Sequence, residues 1–170
     1  MKRAALHNLG CKVNAYETEA MQQLLEQNGY EIVPFSEKAD VYVINTCSVT
    51  NIADRKSRQM LHRAKKMNPD SIVVAAGCYV QTSKEQAEAD AAIDILIGNN
   101  KKHELIPMLE AFEAQREALR ATLQGMDGGC ENNAKELDII DISQPTEYEN
   151  LSVTRTAEHT RAFIKVQDGC

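Results

Sequence analysis

Apolar residues fall into two repeating patterns along this chain. Short runs that are almost continuously apolar, such as Val41-Tyr42-Val43-Ile44 and Ile72-Val73-Val74-Ala75-Ala76, alternate with longer stretches where apolar positions return every three to four residues. The first pattern predicts buried strands and the second amphipathic helices. Strands are expected at about 3–9, 30–35, 40–46, 71–76 and 93–97, and helices at about 14–28, 51–67, 82–90 and 101–119. Strands without in-out alternation are covered on both faces, and their regular alternation with helices implies a parallel sheet.

The fold class that follows is α/β, a flavodoxin-like or Rossmann-like open parallel sheet with helices on both faces and strand order 2-1-3-4-5. Its tight point is Ser36-Glu37-Lys38-Ala39, because a parallel crossover usually takes a dozen residues or more. Three cysteines occupy equivalent places in this scheme. Cys11, Cys47 and Cys78 each stand just past the end of a predicted strand and shortly before a helix-start signal. Asn14 with Glu17, Asn51 with Asp54 and Thr82 with Glu85 have the spacing of an N-cap followed by an acid. A thiol close to a helix N-terminus is favoured as thiolate, and the same place suits an anionic cofactor. Gly10 and Gly77 precede two of the thiols, where glycine lets backbone approach a bulky group. In the order 2-1-3-4-5, strands 1, 3 and 4 are neighbours, so their ends lie within about 10 Å at the topological switch point, where open α/β sheets bind ligands. A cysteine at a strand end is also a small buried hydrophobe, and the placement alone leaves both readings open.

Composition narrows the class. The chain has 170 residues, 43% of them apolar, enough for one α/β domain with an appendage. No apolar run reaches the roughly 18–20 residues of a membrane span, and His7 and Asn8 interrupt any secretory core after Met1-Lys2-Arg3. A cytoplasmic protein without membrane contact is expected. The cysteines number five and are scattered, which disfavours a disulfide framework and favours metal or redox use. A net charge of −6 argues against broad nucleic-acid affinity. One helix departs from that balance: at about 100° per residue, Arg55, Arg58, His62, Lys65 and Lys66 share an arc opposite Ala53, Ser57, Met60, Ala64 and Met67. Such a row is either an ordinary solvated face or a surface for RNA phosphates.

Past about residue 120 the periodicity stops. The stretch to Asn150 is acidic, contains Pro145 and reads as linker, while Arg161-Ala162-Phe163-Ile164-Lys165-Val166-Gln167 alternates like a strand. A strand needs a partner, so this segment reads as the start of a further domain. The expected division is 1–112 as the main domain, 113–160 as helix end and acidic linker, and 161–170 as the beginning of a truncated domain.

Three blocks carry a family resemblance: Gly10-Cys11-Lys12-Val13-Asn14-Ala15-Tyr16-Glu17, Asn45-Thr46-Cys47 with the string from Ser48 to Gln59, and Ala76-Gly77-Cys78-Tyr79-Val80-Gln81. Together they resemble the N-terminal domain of the radical-SAM methylthiotransferases. The string Thr50 to Gln59 is most similar to the branch that methylthiolates N6-threonylcarbamoyladenosine next to the tRNA anticodon. The resemblance implies an auxiliary [4Fe–4S] cluster on Cys11, Cys47 and Cys78, with tRNA and a sulfur donor as partners. It also implies a following radical-SAM barrel with a second [4Fe–4S] cluster and S-adenosylmethionine. Cys170 matches the first cysteine of that barrel's Cys-x3-Cys-x2-Cys motif, whose other two cysteines this sequence lacks, so the chain alone is expected to be inactive. A cluster on three cysteines leaves one iron open, and an open position marks a reactive metal site. No catalytic residue is expected beyond the cluster ligands. Asn14, Asn45 and Gln81 are candidate donors behind the ligands by proximity in sequence, and Arg55, Arg58, Lys65 and Lys66 are candidate RNA contacts. Cys130 is expected to be a free loop thiol, His7 a packed core residue, and His62, His103 and His159 surface residues. The competing function is a non-catalytic α/β module for a nucleotide or phosphate, weakened because no Gly-x-Gly-x-x-Gly or P-loop pattern follows a strand.

Overall fold

In the computed structural model the described residues are 1–48, 50–123, 136–138 and 151. Cys130, His159, the segment 161–167 and Cys170 lie outside them. In chain order the elements are β1 (Arg3–Asn8), α1 (Lys12–Gln27), β2 (Glu31–Ile32), β3 (Val41–Thr46), α2 (Asn51–Met67), β4 (Ile72–Gly77), α3 (Cys78–Thr82), α4 (Lys84–Ala89), β5 (Ile95–Ile97), α5 (Leu105–Leu123) and β6 (Glu136–Asp138). A 3-10 turn at Lys102–Glu104 leads into α5.

The strands form one sheet in the order β2-β1-β3-β4-β5-β6, and every pair is parallel. The expected α/β class and the order 2-1-3-4-5 hold, with β6 added beside β5. That sixth strand comes from the stretch read as linker, and nothing in its acidic composition announces a strand.

Alternate residues of the central strands feed two separate cores. On one face Ala4, Val41, Val43, Ile72, Val74, Ile95 and Ile97 pack under Met21 and Leu25 of α1 and Leu105, Leu109 and Phe112 of α5. On the other, Ala5, Tyr42, Ile44, Val73, Ala75 and Leu96 meet Leu61 and Ala64 of α2, Tyr79 and Val80 of α3, and Ala87 of α4. Helices on both faces explain why β3 and β4 are buried at every position and why their sequences show no alternation.

The short crossover is resolved by a short strand. Only Glu31 and Ile32 pair with β1, which leaves residues 33–40 to pass from one side of β1 to the other. Val33 and Ala39 are buried in the α2-side core and Phe35 packs against it, so this loop covers the face where a helix would otherwise lie. The Tyr42 hydroxyl pins it, accepting from the Ala39 N–H at 3.0 Å and donating to the Glu37 carbonyl at 2.7 Å. Asn68 Nδ2 donates to the Ala39 carbonyl at 2.7 Å, and Arg3 holds Glu37 and the Lys38 carbonyl. His7 packs beside this loop, its ring 5.0 Å from that of Phe35; burial first, then the charge of Arg63, pushes its pKa down. It is packed but half-buried, at the margin of the core and not within it as expected.

The helix starts differ from the expected caps. Cys11, not Asn14, occupies the N-cap of α1. Thr50, not Asn51, caps α2 by accepting from the Ala53 N–H at 3.1 Å. Thr82 ends α3 instead of starting a helix, and the span expected as one helix is broken at Ser83 into α3 and α4. Asn14 and Glu17 are both buried, so the pair that resembles a cap faces the core instead of the helix end.

Two substitutions test this account. Tyr42→Phe keeps the ring and leaves the buried Ala39 N–H without its acceptor, a loss of about 1–3 kcal/mol; urea unfolding is expected to show a lower midpoint with an unchanged slope, and an unchanged midpoint contradicts the pinning role. Gly77 has φ +96° and ψ −157°, a region essentially confined to glycine, and a Cβ there would lie 2.5 Å from Asn45 Oδ1. Gly77→Ala is therefore expected to destabilise by at least about 1–3 kcal/mol, measured in the same titration, and a neutral result contradicts the close packing of β4 on β3.

Candidate metal centre

The carboxyl ends of β1, β3 and β4 finish level. Asn8 lies opposite Asn45, Asn45 opposite Ala76, and Thr46 opposite Gly77. Cys47 directly follows β3 and Cys78 directly follows β4. Cys11 comes after Leu9 and Gly10, and the ladder extends to Leu9, whose N–H donates to the Asn45 carbonyl at 2.9 Å. All three thiols are free; Cys47 is buried and the other two are part-exposed.

Local packing binds these ends together. At Gly10, with φ +144°, a Cβ would sit 3.0 Å from Cys47 Cβ and 3.2 Å from Cys47 Sγ, so the turn carrying Cys11 rests on Cys47. The Cys47 backbone is clamped by the buried Ser57 hydroxyl, which accepts from its N–H at 3.4 Å and donates to its carbonyl at 3.2 Å. Cys11 donates its thiol proton to Asn14 Oδ1 at 3.5 Å. Asn14 Nδ2 in turn donates to the Thr46 carbonyl at 2.9 Å and the Leu9 carbonyl at 3.3 Å, joining the ends of β1 and β3.

A buried polar layer lies beneath. Asn45 Nδ2 donates to the Asn14 carbonyl at 3.0 Å, to Thr18 Oγ1 at 3.3 Å and to Glu17 Oε2 at 3.5 Å. Glu17 Oε2 also accepts from Lys102 Nζ at 2.5 Å, an ion pair with both side chains almost wholly buried. Lys102 Nζ donates onward to Asn99 Oδ1 at 3.2 Å, and Asn99 Nδ2 lies 4.0 Å from Cys78 Sγ. The Cys78 thiol is pushed up, first by burial; Asn99 and then Lys102 oppose the rise, and the charges of Cys47 and Glu17 add to it. Asn45 Oδ1, buried against Gly77, has no hydrogen-bond partner among the described residues.

Among the residues singled out by sequence, Cys11, Cys47, Cys78, Asn14 and Asn45 meet at this edge. Gln81 is half-buried on α3, one turn beyond Cys78. Glu17, Ser57, Asn99 and Lys102 were missed. Glu17 reads as a cap acid, Ser57 as a small residue on a helix face, and Lys102, next to Lys101, as surface charge. On α2 the expected arc is real: Ser57, Leu61 and Ala64 are buried, while Arg55, Arg58, His62 and Lys66 are exposed. Lys65 departs from it, half-buried and held by Asp94 at 2.7 Å and the Ser71 carbonyl at 2.9 Å. His62 faces Asp90 at 2.9 Å.

Among the described residues no three His, Cys, Asp or Glu side chains converge to hold a single metal ion. A cluster sets a different requirement, since each cysteine binds its own iron and the ligands spread around the whole cluster. A donor set of three free thiols, with the His7 ring turned to Phe35, suits soft iron–sulfur ligation better than a hard or mixed-ligand ion. No described helix is long and apolar enough to cross a membrane.

Comparisons with known proteins bear on the family and the fold. Residues 3–98 match the model of Uncharacterized protein family UPF0004. The threonylcarbamoyladenosine tRNA methylthiotransferase of Bacillus subtilis is 38% identical over 170 residues, covering 100% of this chain and 34% of the relative. That of Aquifex aeolicus is 37% identical, covering 99% and 37%. A tRNA-2-methylthio-N(6)-dimethylallyladenosine synthase of Jannaschia is 29% identical, covering 99% and 33%. The chain thus spans about a third of the length of these relatives. Among solved structures, a CheY-like response regulator receiver domain of Methanospirillum hungatei aligns with a TM-score of 0.51 at 16% identity, over 69% of this chain and 98% of that one, which supports the fold alone. The chain belongs to protein family UPF0004, and its likeness is to the N-terminal domain of the tRNA methylthiotransferases.

Proposed function

We propose that Cys11, Cys47 and Cys78 hold an auxiliary [4Fe–4S] cluster with one iron free of protein ligands. In this reading the chain is the N-terminal part of a cytoplasmic enzyme that converts N6-threonylcarbamoyladenosine, next to the tRNA anticodon, to its 2-methylthio derivative. The observation that carries the proposal is the level ending of three adjacent parallel strands, each followed by a free thiol. The names of the two relatives at 38% and 37% identity support the choice of substrate.

When bound, such a cluster supplies the sulfur that ends up on the substrate base. The chain's own residues fix where it sits. Asn14 ties the Cys11 turn to the end of β3, Ser57 holds the Cys47 backbone, and Gly10 and Gly77 keep the approaches free of side chains. Arg55, Arg58 and Lys66 are placed on the exposed face of α2 to meet tRNA phosphates, an attraction that added salt weakens. Lys65, committed to Asp94, contributes little to that contact. In this reading Cys170 is the first ligand of a radical-SAM centre that, with S-adenosylmethionine, works beside the auxiliary cluster. A sulfur donor completes the cycle.

Anaerobic reconstitution followed by iron and sulfide analysis tests the ligand set. Cys11→Ser, Cys47→Ser and Cys78→Ser are each expected to lose most of both, and Cys130→Ser almost none; equal loss with Cys130→Ser makes it a fourth ligand and removes the open iron. In the chain joined to the remaining domains of the enzyme, Cys47→Ser is expected to spare reductive S-adenosylmethionine cleavage and abolish methylthiolation of tRNA. Methylthiolation that survives shows the domain to be a scaffold.

A further inference from the structure

Lysine is almost never fully buried unless paired, yet Lys102 is 1% exposed. Its ion pair with Glu17 is weak evidence for a stabilising role, because a buried pair often contributes no more than apolar residues of similar volume. Its place is more informative than its energy. The pair lies between α1 and the turn after β5, on the cysteine edge of the sheet. Asn100, at φ +67° the one non-glycine residue with positive φ among those described, turns the chain between Asn99 and Lys102. Asparagine tolerates that conformation better than most residues.

From Lys102 a line of polar contacts runs to the thiol. Nζ donates to Asn99 Oδ1 at 3.2 Å, which fixes the amide so that its Nδ2 faces Cys78 Sγ at 4.0 Å. On the other side Glu17 accepts from Lys102 at 2.5 Å and from Asn45 at 3.5 Å. The pair is therefore oriented, with its cation toward Cys78 and its carboxylate toward the Asn45–Asn14 layer.

We propose that Lys102, braced by Glu17, is a positioning residue for the Cys78 ligand, turning the Asn99 amide N–H toward the sulfur and setting a buried positive charge behind it, so that the cluster is held at a higher reduction potential. The proposal rests on the cluster reading above. Hydrogen bonds to sulfur and nearby positive charge favour the more negative, reduced form of an iron–sulfur centre.

The test uses the full 170-residue chain, reconstituted anaerobically and titrated by redox potentiometry, with iron and sulfide measured on the same samples. Asn99→Leu removes the donor and leaves the ion pair; Lys102→Met removes the charge. Lys65→Met, which breaks a half-buried pair with Asp94 near the opposite end of β4, is the control. Asn99→Leu and Lys102→Met are expected to keep their iron and shift the midpoint to lower potential, while Lys65→Met keeps the wild-type value. Wild-type potentials with full iron in Asn99→Leu and Lys102→Met overturn the proposal and make the pair purely structural. Should Lys102→Met fail to fold, Asn99→Leu decides alone. Absence of a cluster from the wild-type chain removes the cluster reading and this inference together, an outcome distinct from a loaded chain with an unchanged potential.

Discussion

The in-register pairing of β1, β3 and β4 is the constraint on which the rest of the structure depends. Parallel strands advance together, so three strands that end level deliver whatever follows them to one line at one edge. Here Asn8, Asn45 and Ala76 share a row, and a cysteine follows each within three residues. A slip of one residue in β3 would turn Val41 and Val43 away from α1 and bring Tyr42 and Ile44 in their place, exchanging the two cores. The hydrophobic pattern that fixes the register therefore also fixes the thiols.

The same edge is where the apolar core gives way to polar groups. Asn14, Glu17, Asn45 and Lys102 are all buried, and each would be unfavourable there without partners. Apart from Asn45 Oδ1, they are partnered in a connected set of hydrogen bonds that ties α1, the end of β3 and the turn after β5 into one base beneath the cysteine turns. A layer of this kind holds the loops in one arrangement, as ligand positions require, whereas apolar residues of similar size would pack there without fixing direction.

Much of this was legible in the sequence, and the failures have physical causes. The continuous apolar runs of β3 and β4 and the start and stop of α2 at Asn51 and Met67 were visible, because period and length separate a buried strand from an amphipathic helix. The three cysteines were legible as a set, since each follows such a run. The caps were misread: Asn14 with Glu17 has the spacing of a cap, but the side chains of both are used by tertiary contacts, and Cys11 takes the cap position. The crossover reads as only Ser36 to Ala39 because β2 is expected to run to residue 35, whereas its pairing stops at Ile32 and leaves residues 33–40 for the passage. Lys102 was invisible for a different reason. A lysine beside another lysine reads as solvated, and only the fold shows that Glu17, 85 positions away, lies within reach.

The proposed centre at this sheet edge is a [4Fe–4S] cluster with three cysteine ligands and one iron of different coordination. Mössbauer spectroscopy of the chain reconstituted with the iron-57 isotope tests it most directly. One distinct iron environment is expected, about a quarter of the total, beside the thiolate-ligated remainder, with the distinction abolished together with the cluster in Cys47→Ser. A spectrum with four equivalent irons, or with a single isolated iron and no sulfide, would contradict it.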